Sequence, residues 1–320
     1  MTPPEAAAPA IARPYRPADD ADWWAIRELL VRTHAASPPG WNWDIRRWDG
    51  SRFHNDVPVL PDAMAAGIGM WESADGRLVG AVHGEGGPGE AYLELDPDWR
   101  HLQPAMLEWA EAHLAVIEGG RRVLEVPAWD DDLPLRALLR ERGYEEREAG
   151  TWLRRLRFGA SGIEAPDVAP GYGLRATAEA TLDADCARMA ALLNASFGRT
   201  VHTAAEYRTF ATRSPSFRHD LNLVVIAPGG SIAAHAGFTL DEANRHGIIE
   251  PVCTHPAHRQ VGLGRALILE GLGRLRDVGA ATCDVETGDM VAANALYRSI
   301  GFTEEYRGHR WRKDLGAGTG

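Results

Sequence analysis

The chain reads as an α/β (α+β) protein built from two similar units, and three observations say so. At 320 residues it is long for one compact domain and comfortable for two of about 150. Strand-like and helix-like segments alternate along its whole length. Their order then repeats. L-R-E-R-G-Y-E-E in the first half matches Y-R-S-I-G-F-T-E-E in the second, aligning Gly143 with Gly301, and D-P-D-W-R ending at Arg100 matches H-P-A-H-R ending at Arg259. The two offsets, 158 and 159 residues, stay nearly constant across separate elements, as a duplication requires.

In chain order, residues 1–12 are Pro- and Ala-rich and are expected to be disordered. A strand over 13–16 leads through Pro17-Ala18 into a helix over 21–34, with Trp24, Ile26, Leu29 and Leu30 at helical spacing. The segment 41–54 concentrates aromatics and arginines. It reads as a helix burying its tryptophans at a domain interface while the charges stay wet; a pocket wall, with Trp41, Trp43 and Trp48 stacking on a ligand, is the other reading. Strands follow at 67–72, 77–83 and 92–95, a helix at 104–118, a strand at 123–126, a helix at 133–142 closed by Gly143, and a strand at 151–158. Residues 159–171, rich in Gly, Ala and Pro, read as the linker, so the domains are expected at 13–158 and 172–315.

The second half repeats the pattern: a strand at 172–175, helices at 183–196 and 204–212, strands at 221–227, 231–239 and 247–254, a helix at 263–278, a strand at 281–287, a helix at 291–299 and a last strand at 306–315.

The totals exclude several classes. No apolar run reaches the roughly 18 residues of a membrane span, and M-T-P-P-E-A-A-A-P-A lacks the apolar core of a signal peptide, so a cytoplasmic location is expected. A formal net charge of −11 argues against a general nucleic-acid binder and mildly favours a cationic acceptor. Cys186, Cys253 and Cys283 are odd in number and form no C-x-x-C clip; buried free thiols are expected, and no metal site.

The chemistry concentrates in V-C-T-H-P-A-H-R-Q-V-G-L-G-R-A-L, residues 252–267. A strand stops at Pro256, and Gly262 and Gly264 sit where a loop becomes a helix. Bare backbone there lets N–H groups approach a ligand, and the first helical amides have no partner inside the helix. With the positive end of the helix dipole they suit an anion such as a pyrophosphate. There is no G-K-[ST], and Leu267 stands where a dinucleotide fingerprint needs its third glycine. The remaining pattern, R-x-x-G-x-G after T-H-P, resembles the acyl-CoA-binding motif of the GNAT (GCN5-related) acetyltransferases. A-N-A-L-Y-R-S-I-G-F, residues 293–302, resembles that family's second signature.

The resemblance implies two tandem GNAT-like domains, each with a mixed, mostly antiparallel central sheet flanked by helices. It also implies acetyl-CoA as acyl donor and direct attack by an amine on the thioester. The backbone of Val252, Cys253 and Thr254 would pair with the pantetheine arm, and the amides of Gln260, Val261, Gly262, Leu263, Gly264 and Arg265 would hold the pyrophosphate. Arg259 would shape the loop, Asn294 would contact the cofactor, and Tyr297 would protonate the leaving thiolate. Regular alternation puts Glu250 on the face of Val252 and Thr254, as a base or acceptor-binding carboxylate, with Glu286 in reserve.

In the first half, Gln103 and Ala105 replace the two glycines, and Arg136 and Leu139 replace Asn294 and Tyr297, so that domain reads as degenerate. A small-molecule amine is the expected acceptor, with its pocket built from 197–217 and 41–54. An acyl-CoA sensor or scaffold without turnover, a protein or peptide acceptor, and a longer acyl group stay open, as does a homodimer.

Overall fold

In a computed structural model the described residues are 9–317, apart from 19, 86, 88 and 161. The elements are β1 (Ala10–Pro14), α1 (Asp20–Thr33), α2 (Ile45–Phe53), α3 (Asp62–Gly67), β2 (Gly69–Ser73), β3 (Leu78–His83), β4 (Tyr92–Leu95), α4 (Gln103–His113), β5 (Val116–Glu118), β6 (Arg121–Trp129), α5 (Leu133–Glu141) and β7 (Glu145–Arg157). Then come β8 (Gly173–Ala176), α6 (Leu182–Phe197), α7 (Ala204–Arg213), β9 (Asn222–Ile226), β10 (Ile232–Asp241), β11 (His246–Thr254), α8 (Leu263–Asp277), β12 (Thr282–Thr287), α9 (Val291–Ile300) and β13 (Glu304–Ala317). No described helix is long and apolar enough to cross a membrane.

Most expected elements lie where periodicity placed them, and the exceptions have local causes. Residues 10–12, expected in a disordered leader, belong to β1, which pairs antiparallel with β2; the leader's first eight residues lie outside the described ones. In α1 the buried stripe is Trp23, Ile26, Leu29 and Leu30, while Trp24 stays exposed. The helix expected over 104–118 stops at His113. Val116–Glu118 instead pairs with Arg121–Val123 as a hairpin, because Gly119 and Gly120 both supply the positive φ that a two-residue turn needs. All three cysteines are buried and free.

Compact units follow contacts, not halves of the sequence. Of the described residues, one comprises those up to Asp44, Leu60–Thr151 and those from Tyr306 on; the other comprises Ile45–Val59 and Trp152–Glu305. The expected domain ranges differ from this in three places, the first being the boundary itself, which falls at Thr151 and not at 158, so that residues 152–158 belong to the second unit. The segment 45–59 packs in the second unit, and most of β13 is a strand of the first, antiparallel to β6 from Gly308↔Trp129 onward. Within the first unit β1-β2-β3-β4 form a four-stranded sheet, and Leu124, Val126 and Trp311 join its core with Met106 and Leu107 of α4.

In the second unit the strand order is β7-β12-β11-β10-β9-β8, with β7 contributing Trp152–Arg157. Neighbours are antiparallel except β11 and β12. One face carries α8 and α9, through Leu267, Ile268, Leu272 and Tyr297. The other carries α6 and α7, through Cys186, Met189, Leu193 and Tyr207. The duplication is visible locally. Each unit runs strand, short 3-10 turn, helix (β4 to α4, β11 to α8), and each has a helix closed by a left-handed glycine, Gly143 at φ 79° or Gly301 at φ 116°.

Helix α8 is seated by Gly271. A Cβ there would lie 2.0 Å from the Phe238 ring on β10, a distance no packing tolerates. Gly271→Ala is expected to destabilise the full chain by about 2 kcal/mol through overpacking, read as a lowered denaturant midpoint in chemical unfolding. An unchanged midpoint would show that α8 is not held at this depth.

Candidate functional site

The site begins where two parallel strands part. β11 and β12 are paired only from His246↔Thr282 to Ile249↔Val285. The next residues of β11, Glu250 and Pro251, stand opposite the single Gly237 of β10, because the register shifts between Ala236↔Val252 and Phe238↔Ile249. This is a β-bulge, and Pro251 has no N–H to offer a neighbour. Gly237 is required at its centre, since a Cβ there would lie 2.6 Å from the Glu250 carbonyl oxygen.

The bulge reverses the expected facing of Glu250. Ile249 and Val252 both pack toward α8, whereas Cys253 packs toward α6. One extra residue therefore switches parity, so Glu250 shares the face of Cys253 and not that of Val252 and Thr254. Regular alternation misplaced it for that reason.

Beyond Thr254 the chain makes a 3-10 turn and enters α8 with Gln260 at φ 64° and Gly262 at φ 85°. Among the described residues, the amides of Gln260, Val261, Gly262, Leu263, Gly264 and Arg265 find no acceptor; the first that does is Ala266, donating to the Gly262 carbonyl at 3.0 Å. A Cβ on Gly262 would meet nothing within 4 Å, so the position demands glycine for its backbone angle and leaves open space outside. Gly264 would take a Cβ at ordinary contact distance, 3.9 Å from Leu296 and Thr254. The exposed Arg259 side chain folds back on the backbone, Nε donating to the Thr254 carbonyl at 3.3 Å and Nη2 to the Ser196 carbonyl at 3.1 Å. It ties the loop to the end of β11.

The parted strands open into a cavity of about 930 Å³ inside the second unit. Glu250 and Val252 line it from β11, Glu286 from β12 and Tyr297 from α9. Tyr297 is buried, its hydroxyl bonds to no described residue, and burial pushes its pKa up to about 12. Glu286 is half-exposed and pairs with Arg47 at 3.5 Å. Asn294 does not line the cavity: Arg154 Nε donates to its Oδ1 at 2.9 Å, and its Nδ2 donates to the Gly288 carbonyl at 3.1 Å. Cys253 is sealed under α6, where burial raises its thiol to about 11.

The far wall comes from segments without a motif. His54, just past α2, stacks on Phe210 of α7 at 4.1 Å and carries the Arg46 guanidinium against its Nε2 at 2.8 Å. Arginine only donates, so Nε2 is the accepting nitrogen and the proton sits on Nδ1, facing Glu206 Oε1 at 3.3 Å. Burial and Arg46 depress the His54 pKa against the opposing pull of Glu206 and Glu250. Glu206 also takes His202 Nδ1 at 3.1 Å and closes a capping box with Thr203. Despite the burial that opposes it, these hydrogen bonds from His54 and His202 hold its pKa below the usual value.

The tryptophans singled out in the sequence line none of this. Trp48 is fully buried, Trp43 packs on His83 and Tyr92, and Trp41 bonds Asp131. The wall residues of 41–54 are Arg46 and His54. A T-x-x-E capping box at 203–206 was the one sequence signal near Glu206; nothing local marks Arg46 or His54.

Residues 186–302 match the acetyltransferase (GNAT) family model, so this stretch is a GNAT acetyltransferase domain, a type that moves an acyl group from acyl-CoA to an amine. Among solved structures the chain is similar to a GCN5-related N-acetyltransferase from Sphaerobacter thermophilus, at 19% identity and TM-score 0.61 over 97% of this chain and 96% of that one. It is likewise similar to a tandem GNAT protein from the clavulanic acid biosynthesis pathway, at 19% and 0.62 over 97% and 100%. A GNAT-family acetyltransferase from Colwellia psychrerythraea follows at 14% and 0.53 over 82% and 96%. At such identities the likeness is one of fold, and it extends over two tandem GNAT-like domains. No curated protein sequence matches the chain at a significant level.

The wall network makes a checkable statement about protonation. At pH 6.5 His54 is expected to be neutral with its proton on Nδ1, titrating only below the ordinary 6.5. Long-range ¹H–¹⁵N correlation spectra read this directly; an imidazolium at that pH would contradict the Arg46–His54 bond.

Proposed function

We propose that the chain is an N-acetyltransferase in which the domain ending at residue 302 transfers acetyl from acetyl-CoA to the amine of a small molecule. The observation that carries this reading is what β11 leads to on leaving β12: a cavity holding an unbonded phenol opens where their ladder ends at Ile249, and six unpartnered amides follow in the chain at the start of α8. The β11 edge released by the bulge, at Val252, Cys253 and Thr254, is the place for the pantetheine amides to add as a strand. The amides of Gln260 to Arg265 then meet the pyrophosphate, in the space that a side chain on Gly262 would fill.

The amine nitrogen attacks the thioester carbon, the carbon–sulfur bond breaks, and two protons must move. Glu250 accepts the one leaving the amine. Tyr297 donates one to the thiolate; with its pKa up to about 12 it stays protonated at any physiological pH and holds the donor ready. Asn294 fits a positioning role, tying the turn after β12 to the buried Arg154 and so setting where α9 begins. In the first unit, Pro104 and the buried Gln103 at the start of α4 leave no equivalent anion loop, which favours the second unit as the catalytic one.

Acetyl-CoA with a pooled amine panel should release free thiol; binding without release would leave a sensor or scaffold. Tyr297→Phe is expected to lower kcat by about 10²-fold while leaving CoA affinity unchanged, and equal turnover by the two proteins would remove the general acid. Gly262→Val is expected to abolish CoA binding by calorimetry. Undiminished affinity there would move the pyrophosphate elsewhere.

A further inference from the structure

Arg46 is the anomaly in the cavity wall. It is 4% exposed, it lines the cavity, and among the described residues no carboxylate lies within ion-pair distance of it. One edge of its guanidinium meets His54 Nε2, and its Cζ lies 4.2 Å from the centroid of the Phe210 ring. Glu206, the carboxylate beyond His54, is already taken by His54, His202 and the Thr203 amide. A buried guanidinium without a counter-ion is costly, and such groups are normally paired. Here the natural place for the partner is the cavity.

Resting on the amine-acceptor reading above, we infer that the acceptor is an amino carboxylate, whose carboxylate pairs with Arg46 while its amine lies toward Glu250. The planar fork, held beside the Phe210 ring, suits the two oxygens of a carboxylate. A dianionic phosphate is disfavoured, because Glu206, Glu250 and Glu286 line the same space. The acceptor's two charges are then read by two oppositely charged walls of one cavity, and a simple amine leaves Arg46 unpaired.

The test compares proteinogenic and straight-chain ω-amino acids, each beside its amide and its decarboxylated amine, as acceptors for the wild-type chain with acetyl-CoA. At least one acid is expected to exceed both of its derivatives by about 10²-fold or more in kcat/KM, since removing the group leaves a buried charge unmatched. Arg46→Met is expected to bring that ratio near one while leaving the CoA dissociation constant unchanged; Arg46→Lys should keep part of it. Amides or decarboxylated amines used as well as the acids by the wild type would overturn the inference and leave the acetyltransferase reading standing. If no amine is acetylated, that reading falls, and equilibrium binding of the same panel to the CoA-saturated chain still decides: acids held in preference to their amides support the Arg46 site, and no such preference overturns it.

Discussion

The bulge at Glu250 and Pro251 against Gly237 is the constraint on which the cavity depends. Parallel strands bond at even spacing, so one inserted residue, followed by a proline without an N–H, ends the β11–β12 ladder at Ile249 and leaves the rest of β11 as a free edge. The same extra residue sets side-chain parity. Val252 stays with the α8 face, while Glu250 turns to the face of α6, α7 and His54. Backbone opening and carboxylate placement are thus one event.

Around that opening the electrostatics are arranged by burial as much as by charge. His54 is held neutral between a guanidinium and a carboxylate, so it transmits hydrogen bonding without adding a third charge. Tyr297 stays protonated because its surroundings penalise the phenolate. The chain carries a net charge of −11, yet the deepest charged group of the cavity wall is cationic. Overall charge describes the surface and not the pocket.

The compact units show a second limit of reading along the chain. Gly143 and Gly301 mark the same joint in the two repeats, and the repeat was legible from their constant offset. Which unit a strand serves was not. β13 pairs with β6 through a register of non-local partners, and the segment 45–59 joins the second unit through the Phe210 contacts of Arg46 and His54. Linker composition finds where the chain is unstructured, and says nothing about which sheet takes the last strand.

By itself the sequence determined the elements with strong periodicity, the free buried cysteines, the Gly262 joint and the position of Tyr297 on α9, because each follows from local spacing or from a backbone angle that one residue type allows. It misread the Val116–Glu118 hairpin, where the glycine pair was available as a signal. Only tertiary structure decided the facing of Glu250, the inward turn of Asn294 toward Arg154, and the meeting of Arg46, His54 and Glu206. The first depends on a register between strands, and the others on partners more than a hundred residues apart in sequence, Arg154 from Asn294 and Glu206 from Arg46 and His54. Pairings of that kind are settled by packing, which no window of the chain contains.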